Sequence, residues 1–162
     1  QLALWGVDPE VNQTCMSMYA NLKEKGTPIH TLQAGQSLTL EENMHIDVLW
    51  AGERGVVLWL TWGNFSALIP TGKVETHWLD VPLPPDILFL PDGIAPEDLQ
   101  LEVINQWAPA VIVLPLGSTD LPLLGEHPTL EFLQGYPVVS SAEHGWVRVS
   151  TDGQGVWVHA EK

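Results

Sequence analysis

The chain has 162 residues, with six basic and twenty acidic side chains and a formal charge of −14, a field that repels phosphate backbones and anionic lipid alike. Autonomous nucleic-acid binding is therefore not expected. A single cysteine, Cys15, excludes an internal disulfide, and no stretch approaches the roughly 18 consecutive apolar residues of a membrane span.

The length suits one domain that buries roughly two thirds of its unfolded surface. The N-terminus lacks the basic start of a signal peptide, so the chain as given is expected to be soluble. It opens without Met, at Leu2-Ala3-Leu4-Trp5, and is expected to be a piece of a longer protein.

A short strand is predicted over Leu2–Val7, closed by Asp8-Pro9. Between Asn12 and Lys25 the residues Cys15, Met18, Tyr19 and Leu22 recur at i, i+3, i+4 and i+7, and Lys23-Glu24-Lys25-Gly26 supplies a cationic last turn with a glycine stop. That predicts an amphipathic helix with Cys15 packed and inert. From Pro28 the period shortens: Ile29 and Leu32, Leu38 and Leu40, then Ile46, Val48 and Trp50 read as the short strands of a meander.

The stretch that follows organises the chain. Two apolar runs, Val56–Trp62 and Phe65–Ile69, are joined by Gly63-Asn64, the connection of a tight hairpin. Runs this unbroken need cover on both faces, which places the hairpin centrally in a sheet. It stops at Pro70-Thr71-Gly72-Lys73, a loop at the end of a core strand, where functional groups gather.

Beyond a proline-stiffened connector at 81–85, Ile87–Leu90 is an apolar strand. Pro96-Glu97-Asp98 starts a helix carrying Leu99, Val103, Ile104 and Trp107 and ending at Pro109, and Val111–Leu114 is a second buried strand. The three make a β-α-β unit with a parallel pair. A helix from Pro128 with Leu130, Phe132 and Leu133, a strand at Val138-Val139, and a hairpin of Trp146–Val149 with Val156–Val158 complete the chain. The class is an α/β (α+β) sandwich with mixed sheets between helices.

Five phrases along the chain carry a resemblance. They are Val56-Val57-Leu58-x-Leu60-x-Trp62-Gly63 running to Leu68-Ile69-x-x-Gly72; Asp86–Leu90 with Pro91 and Gly93; Pro109–Ser118; His127–Leu133; and Gly145–Val158. In this order and spacing the chain resembles the C-terminal metallo-β-lactamase-like domain of ComEC-type competence proteins, the inner-membrane channels for DNA uptake in bacteria. The resemblance implies part of an αββα sandwich, with any metal cleft among the loops at one end of the sheets. Members with an intact site resemble zinc hydrolases, with an H-x-H-x-D-H cluster after an early strand, an Asp after the glycine of the central hairpin and a His pair after the next strand.

Here the Asp position falls at Gly72, or at Lys73 with the register moved by one. The His pair falls at Pro91-Asp92, and no H-x-H-x-D-H occurs in the 162 residues. His127 stands where the family keeps a terminal histidine. Gly72, Lys73, Asp92 and His127 are thus vestigial positions, since a catalytic zinc needs about three protein ligands converging on one point. Asp92, in Pro-Asp-Gly, is also ordinary turn chemistry, and His127 a polar loop residue. His30, His45, His77, His144 and His159 have no metal-ligand spacing. Gly117-Ser118-Thr119-Asp120 lacks the G-x-S-x-G elbow of a nucleophile. The eight tryptophans read as core and strand-pair filling, without a basic groove that would make them a base-stacking platform.

These readings assign no catalytic, cofactor-binding or metal residue. They predict a non-catalytic domain of a ComEC-type DNA-uptake protein, its partner the channel domain of the parent, on the extracytoplasmic side of a bacterial cytoplasmic membrane and without strong binding to nucleic acid. Two alternatives stand beside it. One is a zinc-dependent hydrolase or nuclease whose first ligand cluster lies upstream of Gln1, although an upstream cluster leaves the interior positions Gly72 and Pro91 unexplained. The other is an acidic extracytoplasmic interaction module, resting on charge alone.

Overall fold

A computed structural model describes residues 3–6, 10, 13–53, 55–72, 81, 84–90, 101–115, 131, 133–141 and 145–161. Its elements in order are β1 (Ala3–Trp5), α1 (Gln13–Glu24), β2 (Ile29–Thr31), β3 (Ser37–Glu41), β4 (Met44–Gly52), β5 (Gly55–Trp62), β6 (Phe65–Gly72), β7 (Ile87–Phe89), α2 (Leu101–Trp107), β8 (Val111–Leu114), β9 (Val138–Ser140), β10 (Val147–Thr151) and β11 (Val156–Ala160).

The Gly63-Asn64 hairpin forms as the sequence predicts, with Trp62 opposite Phe65 and Leu58 opposite Ile69. Gly63 takes φ 59° at the first central position, the place a tight hairpin reserves for glycine. Around this pair lies a seven-stranded sheet in the order β3-β4-β5-β6-β7-β8-β9. The strands from β3 to β6 are antiparallel neighbours, and β6 to β9 run parallel. The mixed sheet follows from the connections: two-residue turns reverse the chain through the first four strands, and crossovers return it in the same direction for the rest.

Alternation along the strands sorts the core into two faces. Val57, Trp59, Leu68, Leu88, Leu90, Ile112 and Leu114 share one cluster with Ile104 of α2 and with Leu133. The opposite face carries Phe65, Ala67, Ile87 and Val113, against which Val149 and Val156 of the β10–β11 hairpin pack. Farther along that side Val48 and Val56 meet Leu32 and Leu4. Leu68, Ile87 and Leu88 are fully buried, so the central strands are covered on both sides, as their unbroken apolar runs require. The architecture is an α+β sandwich of one large mixed sheet, smaller sheets on its second face, and helices.

Several expectations need correction. Ile29–Thr31 does not join the meander; β2 pairs in parallel with β1, Ala3 opposite Ile29 and Trp5 opposite Thr31. A twelve-residue helix between two three-residue strands is a second β-α-β unit, and strands that short carry too little alternation to reveal it. The helix itself ends as predicted: Gly26 at φ 66° and the bonds Gly26 N–H to Lys23 O and Thr27 N–H to Leu22 O, both 3.0 Å, make a Schellman stop.

Its packing is lighter than the apolar spacing implies. No residue of α1 is buried, Met18 is 59% exposed, and Cys15 is only half-buried. Tyr19 meets Trp5 edge to face, ring centroids 5.1 Å apart, so the helix lies against β1. Leu40, on the edge strand β3, is exposed because the register shifts between Thr39 and Glu41. The first turn of the predicted 96–108 helix and most of the one from Pro128 lie outside the described residues.

Candidate functional site

Parallel strands end on a common edge. Ala67 stands beside Ile87 and Ile87 beside Val111, while Leu114 stands beside Ser140, so β6, β7, β8 and β9 finish on the same side of the sheet. In open α/β sheets this carboxyl edge is where ligands are held. Gly52, Gly55 and Gly72 line up there across β4, β5 and β6. The space a side chain at Gly52 would need is filled by the Trp50 indole.

Of the four vestigial positions, Gly72 is described. It closes β6 opposite Gly55 and has no side-chain donor to offer a metal. Lys73, Asp92 and His127 lie outside the described residues, as do Ser118, His77 and His144. In sequence they follow strands that end on this edge. The other histidines are not brought together: His30 is half-buried on β2 beside Gln36, His45 is exposed on β4 with Nδ1 3.2 Å from Thr39 Oγ1, and His159 stands on β11 opposite Arg148. Among the described residues no three His, Cys, Asp or Glu side chains are placed to hold a metal ion.

The opposite edge carries polar residues that the sequence does not single out. The Asp86 carboxylate accepts from Ser66 N–H at 2.7 Å and Ser66 Oγ at 3.0 Å, and its carbonyl accepts Ala110 N–H at 2.8 Å. One residue thus fixes the starts of β7 and β8 to β6. Ser66 lies twenty residues away in the chain, so spacing alone gives no sign of the bond. Beside it the two hairpin turns interlock, Asn64 N–H donating to Gly153 O at 2.8 Å.

Asp152 organises the second turn. Its Oδ1 accepts Gly155 N–H at 2.8 Å and Gln154 N–H at 2.9 Å, and these bonds, Gly155 first, hold the carboxyl below its ordinary value of 3.8. The folded state therefore favours the carboxylate, and the stability it supplies is present above that ordinary value and lost as pH falls through the lowered one. Asp152→Asn, which keeps the acceptor oxygen, is expected to differ from the parent by a constant urea-midpoint offset above about pH 5 that narrows below it. A gap unchanged down to about pH 2 would show that the carboxylate charge contributes nothing.

The tryptophan reading also needs correction. Trp5 and Trp59 are buried, but Trp146 and Trp157 are 51% and 49% exposed on the outside of the β10–β11 hairpin. The Arg148 guanidinium lies 5.8 Å from the centroid of Trp146.

No family model matches the chain, and no curated protein matches it. Among solved structures it is similar to that of a putative metal-dependent hydrolase from Parabacteroides distasonis, at 15% identity and a TM-score of 0.45, over 85% of this chain and 74% of that one. A likeness at that level assigns no residue a role.

Proposed function

We propose that this chain is a non-catalytic, metallo-β-lactamase-like domain of a ComEC-type DNA-uptake protein, acting by surface contact with the channel portion of its parent on the extracytoplasmic side of the membrane. The observation that carries the non-catalytic part is Gly72: the strand end from which a metal-ligating carboxylate is expected presents backbone alone. The order of the five sequence phrases supports the family part, since they run through β5–β6, β7, β8, the segment leading to Leu133, and β10–β11. A charge of −14 supports contact with protein over duplex DNA, because each phosphate approached adds repulsion.

Elemental analysis of the purified chain tests the first part, with zinc and manganese expected far below one ion per chain. Near-stoichiometric metal, or nuclease activity abolished by Asp92→Ala, would replace this reading with that of a working hydrolase. A gel-shift titration at about 0.15 M salt tests the second. Neither single- nor double-stranded DNA is expected to bind, and micromolar, salt-dependent binding would overturn contact without nucleic acid.

A further inference from the structure

The β10–β11 hairpin is two-sided. Val149 and Val156 point into the cluster with Phe65 and Val113, so the alternate residues point outward. Outside, the cross-strand neighbours are Arg148 with His159 and Ser150 with Trp157. At the open end Glu161 N–H donates to Trp146 O at 3.1 Å. The result is a strip of three rungs with an indole at each end and a cation between them.

Each end of the strip also carries an acid. A point one Cβ above Gly155 lies 3.3 Å from the Trp157 ring and 3.9 Å from Asp152 Oδ1. At the other end Glu161 shares a rung with Trp146, and its Oε2 lies 3.3 Å from the equivalent point above Gly145. Asp152 is held as a carboxylate by its turn, whose Gln154 and Gly155 N–H groups both donate to Oδ1.

An ionised acid beside an exposed indole is chemistry for a guanidinium or ammonium group, which gains from the ring face and from the carboxylate together. Arg148 over Trp146 is an internal instance of the ring contact; no cation is recorded over the Trp157 ring among the described residues. Tryptophan and arginine are also the side chains that dominate protein interfaces, and the net charge of −14 steers a basic partner toward the strip and a polyanion away. From Trp157 to Glu161 is four residues of strand, about 14 Å, the reach of an extended segment with cations four residues apart.

We propose that the outer face of the β10–β11 hairpin docks an extended basic segment of a protein partner, one cation lying over Trp157 beside Asp152 and a second meeting Glu161. This names a surface for the contact role proposed above and rests on that role, but not on the parent being a DNA-uptake protein.

The test is a fluorescence-anisotropy titration of the 162-residue chain with a labelled nine-residue serine peptide bearing two arginines four residues apart. Its glutamate counterpart, an oligo-dT and a neutral oligosaccharide serve as competitors. The arginine peptide is expected to bind, more weakly as salt rises, with affinity roughly tenfold lower in Trp157→Thr. Trp157→Phe should recover part of the loss, Asp152→Asn should cost several-fold, and Met18→Ser, on α1, should change nothing.

Equal binding of the arginine and glutamate peptides, no binding of either, or an unchanged affinity in Trp157→Thr would overturn the proposal. So would displacement of the peptide by the oligosaccharide or oligo-dT, which would give the face to another class of ligand. Failure of the peptide to bind leaves the metal and gel-shift results standing, so the two readings fail separately.

Discussion

Leu68→Ala is expected to lower the unfolding free energy by about 3–4 kcal/mol. Leu68 is fully buried on β6, the middle strand of seven, and shares its cluster with Val57, Trp59, Leu88, Leu90, Ile104 and Ile112. Removing the isobutyl group forfeits its transfer free energy and leaves a void that neighbours on three strands and a helix cannot all move to fill. Leu40→Ala removes the same atoms from a side chain 45% exposed on the edge and should cost less than about 1 kcal/mol. Urea denaturation of both variants checks the pair. Losses of similar size would mean that β6 is not covered on its helical face.

The second large effect is expected from Gly63→Ala, at about 2–3 kcal/mol. Gly63 has φ 59°, where an L side chain costs roughly 1–2 kcal/mol. An added Cβ would also stand 2.8 Å from Gly153 O, the oxygen that accepts Asn64 N–H. One turn must move away from the other, and a bond worth about 1 kcal/mol goes with it. Gly35→Ala is the comparison: φ is 79° but nothing lies within 4 Å of the new methyl. It should show the backbone cost alone, about 1 kcal/mol. The difference between the two variants, read from thermal or urea midpoints, measures how firmly the hairpins are joined; equal losses would mean that they are not.

Local chemistry was legible in the sequence. Gly63-Asn64, the run from Val56 to Ile69 and the Gly26 stop were readable because each is decided within a few residues, and the parallel pair around α2 because a helix between two apolar runs is the ordinary crossover of such a pair. What depends on distant partners was not. Asp86 acquires its role only when Ser66 arrives beside it, and β2 pairs with β1 only after α1 has brought it back.

The outer tryptophans illustrate a different limit. Alternation of Val156, Trp157, Val158 and His159 predicts one outward face, yet ranking by apolar size would turn the indole inward. The side packed against Phe65, Ala67 and Val113 carries Val149 and Val156 instead. For the candidate site, the sequence placed Gly72 at the end of the central strand, and the parallel register adds the edge that it shares with the ends of β7, β8 and β9.

The meander has a bearing on how the chain reaches this structure. Glu42-Asn43 joins β3 to β4, residues 53–54 join β4 to β5, and Gly63-Asn64 joins β5 to β6. Three successive pairings thus close over the shortest loops available, each within the microseconds that a hairpin takes. The parallel pairings span residues 73–86, 90–110 and 115–137, and each must meet a closure entropy larger by about 2 kcal/mol before any contact repays it. Residues 37–72 are therefore the natural nucleus, onto which β7, β8 and β9 add in turn. Lesions within β5 and β6 should slow folding, whereas lesions of equal cost in β9 should chiefly hasten unfolding.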